Sequence, residues 1–175
     1  MSPAQSTFED VGETAGRVRR ARRVRRVFLV ALVVFVALGL VDFWGVRYST
    51  ATASDPEQAL EVRYPRVVRP GLGASIEIVV TRHAGFDGPV SLSLDSDYLD
   101  LFDEHGTSPQ PAEETQTAER TIWEFEPPHD STSFMASFDL RVAPSRWWGR
   151  GGDVQLLGPD GETHLEVDFH TWIAP

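Results

Sequence analysis

The sequence predicts an all-β fold, namely an immunoglobulin-like β-sandwich of about seven strands that follows one N-terminal transmembrane helix. One observation behind this prediction is an unbroken apolar run directly after a cluster of arginines. Another is the alternation of apolar and polar residues beyond residue 58, which is typical of strands with one wet face. Glycine- and proline-rich turns separate the alternating segments, as expected for short antiparallel strands.

The apolar run extends from Val27 to Val41 without a polar side chain. As a helix it covers only about 22 Å, whereas the hydrocarbon core of a bilayer is about 30 Å thick. Extension to Val46 supplies the missing length and brings Trp44 to the level where interfacial aromatic residues usually lie. The sequence therefore predicts a transmembrane helix over residues 27–46, with the lipid bilayer as a partner.

The arginines around this helix predict its orientation. Seven arginines lie between Arg17 and Arg26, and Arg47 alone follows the helix closely. Because arginine-rich flanks stay in the cytoplasm, residues 1–26 are expected to form a disordered cytoplasmic tail, and the rest of the chain should lie outside the plasma membrane. The residues expected to set this topology and to contact anionic lipid are Arg19, Arg20, Arg22, Arg23, Arg25 and Arg26.

Two alternatives concern the same N-terminal region. The arginine run could bind a nucleic acid or a specific lipid, but topology accounts for it in full, so no nucleic-acid partner is expected. The apolar run could also be a signal peptide, because Ala51-Thr52-Ala53 matches a cleavage site. That site lies ten residues beyond Val41, which favours a helix that is retained.

The region after the helix is predicted to contain a linker over residues 47–58 and one extracytoplasmic domain over residues 59–175. The small polar residues of the first part favour the linker, and the alternation predicts the domain. A small barrel is the alternative to the sandwich. The predicted strands are 59–68, 74–83, 89–95, 119–126, 132–143, 153–157 and 163–173.

Two segments of the domain are candidate contact surfaces. Residues 104–118 are polar and contain proline, which predicts an exposed loop. The glycine-rich turn before the sixth predicted strand carries adjacent tryptophans and arginines, which are favoured at interfaces. We expect one of the tryptophans to support the core and the other to be exposed. The residues of this possible partner contact are Arg146, Trp147, Trp148 and Arg150.

No motif predicts an enzyme, a metal or a cofactor. The absence of cysteine excludes a thiolate metal site and a cysteine nucleophile. The acidic run from Asp95 to Glu104 lacks the spacing of a calcium loop, and a solvated acidic surface is the expectation. His164 and His170 would stand about 20 Å apart on one strand, too far to share a metal. No serine lies in a G-x-S-x-G turn.

The arginine-only basic head, the single helix and the body with F-D-G-P and R-V-A-P-S-R-W-W-G turns resemble one group of known proteins. These are small single-pass membrane-anchored proteins of unknown function from high-GC Gram-positive (actinobacterial) bacteria. The resemblance implies no activity. The body itself predicts a protein-interaction or accessory module of the cell envelope that contacts another membrane or envelope protein. A cell-wall glycan-binding module with tryptophan stacking platforms is the alternative, followed by an envelope hydrolase.

Overall fold

A computed structural model describes residues 6–40, 46–145 and 148–174 of the chain. The chain divides into two compact units, Met1–Gly45 and Val46–Pro175, and the second is called the body below. The elements in chain order are α1 (Ser6–Leu40), β1 (Arg47–Ser54), β2 (Gln58–Val68), β3 (Gly73–Arg82), β4 (Val90–Asp95), α2 (Ser96–Leu99), β5 (Phe102–Ser108), β6 (Glu113–Gln116), β7 (Arg120–Phe125), β8 (Ser133–Val142), β9 (Arg150–Leu157) and β10 (Thr163–Ile173).

Helix α1 contains most of the tail that was predicted to be disordered. Residues 6–26 are helical and continue without a break into the apolar run. The physical reason is that arginine, alanine and glutamate, which recur in this segment, are good helix formers. Of the predicted membrane span 27–46, residues 41–45 lie outside the described residues.

No helix within the described residues (6–40, 46–145 and 148–174) is both long enough and apolar enough to cross a bilayer.

The body is all-β apart from the single turn of α2. Its strands follow one path in the order β5-β8-β3-β2-β10-β9-β4-β7-β6, and β1 pairs with β2 beside that path. The pairs formed by described strands are antiparallel, except that the end of β10 runs parallel to the end of β2. The strand β10 therefore joins the two halves of the path.

The two halves of the path face each other and enclose the core. Trp123 of β7 and Phe138 of β8, which belong to opposite halves, lie with ring centroids 4.8 Å apart. Phe125 and Phe134 make a second contact across the same space at 5.4 Å. This arrangement follows from the alternation of side chains along a strand, because β8 and β10 bury every second residue and mostly expose the residues between them. The body thus has two layers, one formed by β5, β8, β3, β2 and β1, and the other by β10, β9, β4, β7 and β6.

All seven strands that the alternation predicted are found, as β2, β3, β4, β7, β8, β9 and β10. The structure adds three strands that were not predicted. Residues 47–54 of the predicted linker form β1, which pairs with β2 from Arg47 to Ser54. The predicted loop 104–118 contains most of β5 and all of β6, at the two ends of the sheet path. All four residues of β6 are exposed, so this segment is on the surface as expected but is not irregular.

A buried chain of hydrogen bonds connects α2 to both layers. The Thr171 hydroxyl donates to the carbonyl of Pro65 at 2.7 Å, and its oxygen lies 2.8 Å from the Tyr98 hydroxyl. Because Thr171 has only one hydroxyl proton, Tyr98 must be the donor in the second bond. Both side chains are fully buried, so the phenol depends on keeping its proton.

We expect the stability of the body to fall steeply in alkaline solution because of Tyr98. Burial raises the pKa of this phenol above its ordinary value, because the charged phenolate is poorly solvated in the core. Because the pKa is higher in the folded state than in the unfolded state, the protonated phenol stabilises the fold in full below pH of about 10. Above that pH the stabilisation decreases by about 1.4 kcal/mol per pH unit. Urea unfolding between neutral and strongly alkaline pH measures this slope. Tyr98→Phe should be flatter in the same range, although less stable at neutral pH by about 1 kcal/mol. An unchanged slope in Tyr98→Phe would contradict the assignment.

Candidate contact surface

The strands of the body meet at two opposite ends, which differ in composition. At the first, called the Trp172 end, Arg47 of β1 and Trp172 of β10 both align with Val67 of β2. The turn 69–72, helix α2 and the start of β9 lie at the same end. At the second, called the Asp160 end, the turns 55–57, 83–89, 126–132 and 158–162 come together. The chain enters the body from the N-terminal unit at the Trp172 end.

The Trp172 end carries the most exposed tryptophans of the described body. Trp148 is 86% exposed and Trp172 is 61% exposed. Leu72, in the turn between β2 and β3, is 43% exposed at the same end. Burial of large aromatic side chains contributes strongly to binding, and tryptophan is enriched where contacts carry the most energy. This group of side chains is therefore the candidate contact surface.

Glycines on β9 explain how the aromatic residues of β10 are arranged. His170 pairs with Gly151, and its ring lies 4.7 Å from that of Trp172. Gly149 precedes β9 and approaches the backbone of β10 so closely that an added Cβ would lie 2.1 Å from the carbonyl oxygen of Thr171. Only glycine permits this approach. The turn that presents Trp148 is thereby held against the end of β10.

The four residues predicted for partner contact have different outcomes. Trp148 is exposed on the candidate surface. Arg150 is engaged within the body, because its guanidinium donates to the carbonyl of Asp97 at 2.7 Å and lies 3.5 Å from the carboxylate of the same residue. Arg146 and Trp147 lie outside the described residues. The prediction that one tryptophan of the pair supports the core consequently stays a prediction.

Charge is distributed unevenly between the two ends. Arginines of the Trp172 end are Arg47, Arg66, Arg69, Arg141 and Arg150. Carboxylates of the same end are Asp95, Asp97, Asp100, Asp103, Glu104 and Glu119, and Asp95 is opposite a further arginine, Arg120. The arginine of the Asp160 end is Arg82. Its carboxylates are Asp55, Glu57, Asp87, Glu126, Asp130, Asp160 and Glu162. The Trp172 end is thus nearly balanced in charge, whereas the Asp160 end is strongly acidic.

One carboxylate of the Asp160 end is fixed in its charged form by the backbone. The N–H groups of Gln58 and Glu57 each donate to Asp55 at 2.8 Å. These bonds hold the pKa of the Asp55 carboxyl below its ordinary value. The negative charge of Asp55 therefore persists to a lower pH than that of an ordinary aspartate.

The remaining predicted residues are found as follows. The side chains of Arg20, Arg22, Arg23, Arg25 and Arg26 are exposed on α1, and Arg19 belongs to the same helix. Within the described residues, no group of three histidine or acidic side chains is placed to hold a metal ion. His164 lies 3.3 Å from the amide nitrogen of Gln58, and His170 packs on Trp172, so each has a separate environment.

A concave feature, which the sequence did not predict, lies at the Asp160 end. It is an open groove of about 720 Å³ between the turns 85–89 and 158–161 and the outer face of β7. Arg82 lines it with its guanidinium 5.4 Å from the ring centroid of Phe86, and Glu124 and Asp87 lie along the same wall. The mixture of one base and two carboxylates defines no single ligand class.

Trp172 is the surface residue that sequence reasoning missed. The alternation of β10 buries Leu165, Val167 and Phe169, so residues of even number face solvent. An indole in that phase is unusual for a wet face, because alternation normally places polar residues there. This mismatch between residue type and position is the signal that could have identified Trp172.

The fold and this surface together define a body of the all-β class with an aromatic end. No protein-family profile matches the chain, and no curated protein matches it either. Among solved structures, it is similar to one described as "AvmM Catalyzes Macrocyclization in Alchivemycin A Biosynthesis". That likeness has 13% sequence identity and a TM-score of 0.35, and it covers 73% of this chain and 90% of the other.

Proposed function

We propose that the protein is a membrane-anchored module of the cell envelope, with its body outside the cytoplasm in an immunoglobulin-like sandwich. The body serves as a binding or accessory module for another membrane or envelope protein. The observation that carries this proposal is the exposure of Trp148 and Trp172 together at one end of a two-layer all-β body. Exposed aromatic residues grouped on a rigid scaffold are typical of contact surfaces.

The anchor is supported by the character of α1 after its arginines. Apolar side chains from Val27 to Val36 are exposed, at 46–66% for the large ones. A helix that is apolar on all sides is ordinarily covered by a membrane or by other protein. The preceding exposed arginines supply the positive flank that would remain in the cytoplasm.

The edge strands supply a second route to a protein partner. The strands β5 and β6 terminate the sheet path, and β6 exposes Glu113, Glu114, Thr115 and Gln116. An edge strand offers unpaired backbone groups to an added strand, and its side chains select the partner. The two glutamates of β6 would favour a basic partner segment and discourage pairing between copies of this chain.

Topology provides the experimental test. A reporter enzyme that is active only outside the cytoplasm, fused after Pro175, should be active. Replacement of the six arginines from Arg19 to Arg26 by glutamate should scramble the orientation and lower reporter activity, because the positive flank is lost.

The matched control replaces the same six arginines with lysine, which is absent from the natural sequence. Lysine keeps the positive charge, so full reporter activity is expected. Activity of a reporter that works only inside the cell, in the unaltered chain, would overturn the proposal.

A further inference from the structure

The structure shortens the connection between the predicted membrane span and the body. With residues 47–58 as a linker, the extended chain could have separated the body from the span by about 40 Å. Residues 47–54 instead form β1 and are paired with β2. The six steps along the chain from Val41 to Arg47 can cover at most about 22 Å, and less if the span continues to Val46. The Trp172 end, where Arg47 lies, is therefore tethered closely to the bilayer if the proposed anchor holds.

We propose that the Trp172 end docks on an anionic lipid bilayer surface, an inference that rests on the proposed membrane anchor. Trp148, Trp172 and Leu72 enter the zone of the lipid headgroups, and the arginines beside them engage lipid phosphates. In this assignment Trp148 and Trp172 contact lipid instead of a protein, and the partner protein proposed above binds at the edge strands β5 and β6. The chemistry recognised is that of a bilayer containing anionic headgroups.

The aromatic residues favour this occupant because of where indoles prefer to be. Tryptophan is enriched at membrane interfaces, where its ring contacts the acyl boundary and its N–H remains in a polar layer. Trp148 is 86% exposed and Trp172 is 61% exposed, so both can reach such a layer without a rearrangement of the core. Their position beside Arg47, at the start of the body, places them at the end that the tether holds nearest to lipid.

Charge favours the same orientation. An anionic leaflet attracts arginines near its surface, at about 1 kcal/mol each, within a Debye length of about 8 Å at physiological salt. Arg66, near the end of β2, and Arg69, in the turn itself, precede Leu72, and Arg47 begins the neighbouring strand β1. Asp97, Asp100 and Glu119 lie on or beside α2, whereas Asp103 and Glu104 of β5 lie one strand from the turn, because Phe102 pairs with Val142 and Val142 bonds to Leu72. Docking at this end also keeps the acidic Asp160 end farthest from the negative surface.

The absence of cysteine from the chain permits a direct test with single labels. Leu72→Cys and Asp160→Cys, each in the full chain, carry a nitroxide and are reconstituted into vesicles of phosphatidylcholine and phosphatidylglycerol. Collisional accessibility is measured with oxygen, which concentrates in the bilayer, and with a water-soluble nickel complex. The label at position 72 should lose access to nickel and gain access to oxygen. The matched label at position 160 should remain fully accessible to nickel.

Two further measurements define the contact. The double substitution Trp148→Ser and Trp172→Ser should restore nickel access at position 72, and circular dichroism should confirm that this variant stays folded. Vesicles of phosphatidylcholine alone, or salt at 1 M with its Debye length of about 3 Å, should weaken the protection because the arginine contribution is lost.

The outcomes separate this inference from the proposed function. Equal nickel access at positions 72 and 160, in a chain that resists carbonate extraction from the vesicles, overturns the docking and leaves the anchor intact. Release of the chain by carbonate overturns the proposed anchor itself. Protection of position 72 that requires isolated peptidoglycan, rather than anionic lipid, assigns the surface to wall glycan and also overturns the docking.

Discussion

Replacement of Trp123 by alanine is expected to lower the free energy of unfolding of the body by about 3–5 kcal/mol. Trp123 is 1% exposed and packs on Phe138 across the space between the two layers, at 4.8 Å between ring centroids. Truncation removes one of the aromatic contacts between β7 and β8 and leaves a cavity that neither layer can close, because each is held by its own strand pairing. Since domains are stable by only about 5–15 kcal/mol, this loss could unfold the body at physiological temperature. Urea unfolding followed by circular dichroism measures it.

Two variants serve as controls for this prediction. Trp148→Ala removes an equally large side chain that is 86% exposed, so its effect should stay within about 0.5 kcal/mol. Trp123→Phe keeps a ring against Phe138 and removes an indole N–H that is buried without a hydrogen-bond partner among the described residues. Its cost should therefore be well below that of alanine. Similar stability of the Trp123→Ala and Trp148→Ala variants would contradict the packing of the two layers.

The second large effect is expected from a single added methyl group at Gly152. An ideal Cβ at this position would lie 2.6 Å from Cγ of Tyr98 and 2.8 Å from its Cβ. Tyr98 cannot move aside, because its ring contacts Phe169 at 5.0 Å and its hydroxyl bonds to Thr171. Overpacking of this kind typically costs about 1–3 kcal/mol, and Gly152→Ala should fall in or above that range. Thermal unfolding of the full chain provides the measurement.

The neighbouring glycine is a matched control on the same strand. A Cβ at Gly151 would make only ordinary contacts, 3.6 Å from Nδ1 of His170 and from the Phe169 carbonyl oxygen. Gly151→Ala should therefore retain the stability of the natural chain or slightly exceed it, since alanine reduces the freedom of the unfolded backbone. Equal destabilisation by the two substitutions would show that strand β9 excludes any side chain at both positions, and would refute the role assigned to Tyr98.

Edge strands were the part of the fold that the sequence could not predict. β6 is exposed at every residue, so it has no buried face and shows no alternation of apolar residues. β1 consists largely of serine, threonine and alanine, which read as a polar linker until the pairing with β2 is known. The backbone of each segment is ordered by pairing with the next strand along the chain, β1 with β2 and β6 with β7, and this pairing leaves no apolar pattern in the residues of the segment itself.

The sequence by itself determined the strands that have one buried face, because burial leaves a period of two in the residues of β2, β3, β8 and β10. The sequence also contains the arginine cluster and the apolar run, and the anchor is proposed from these two features. Only the tertiary structure decided that Trp148 and Trp172 are both exposed at the end where the chain enters the body. That placement depends on the register of β9 with β10 and of β10 with β2. Register results from the packing of side chains across the two layers, and no local pattern of residues encodes it.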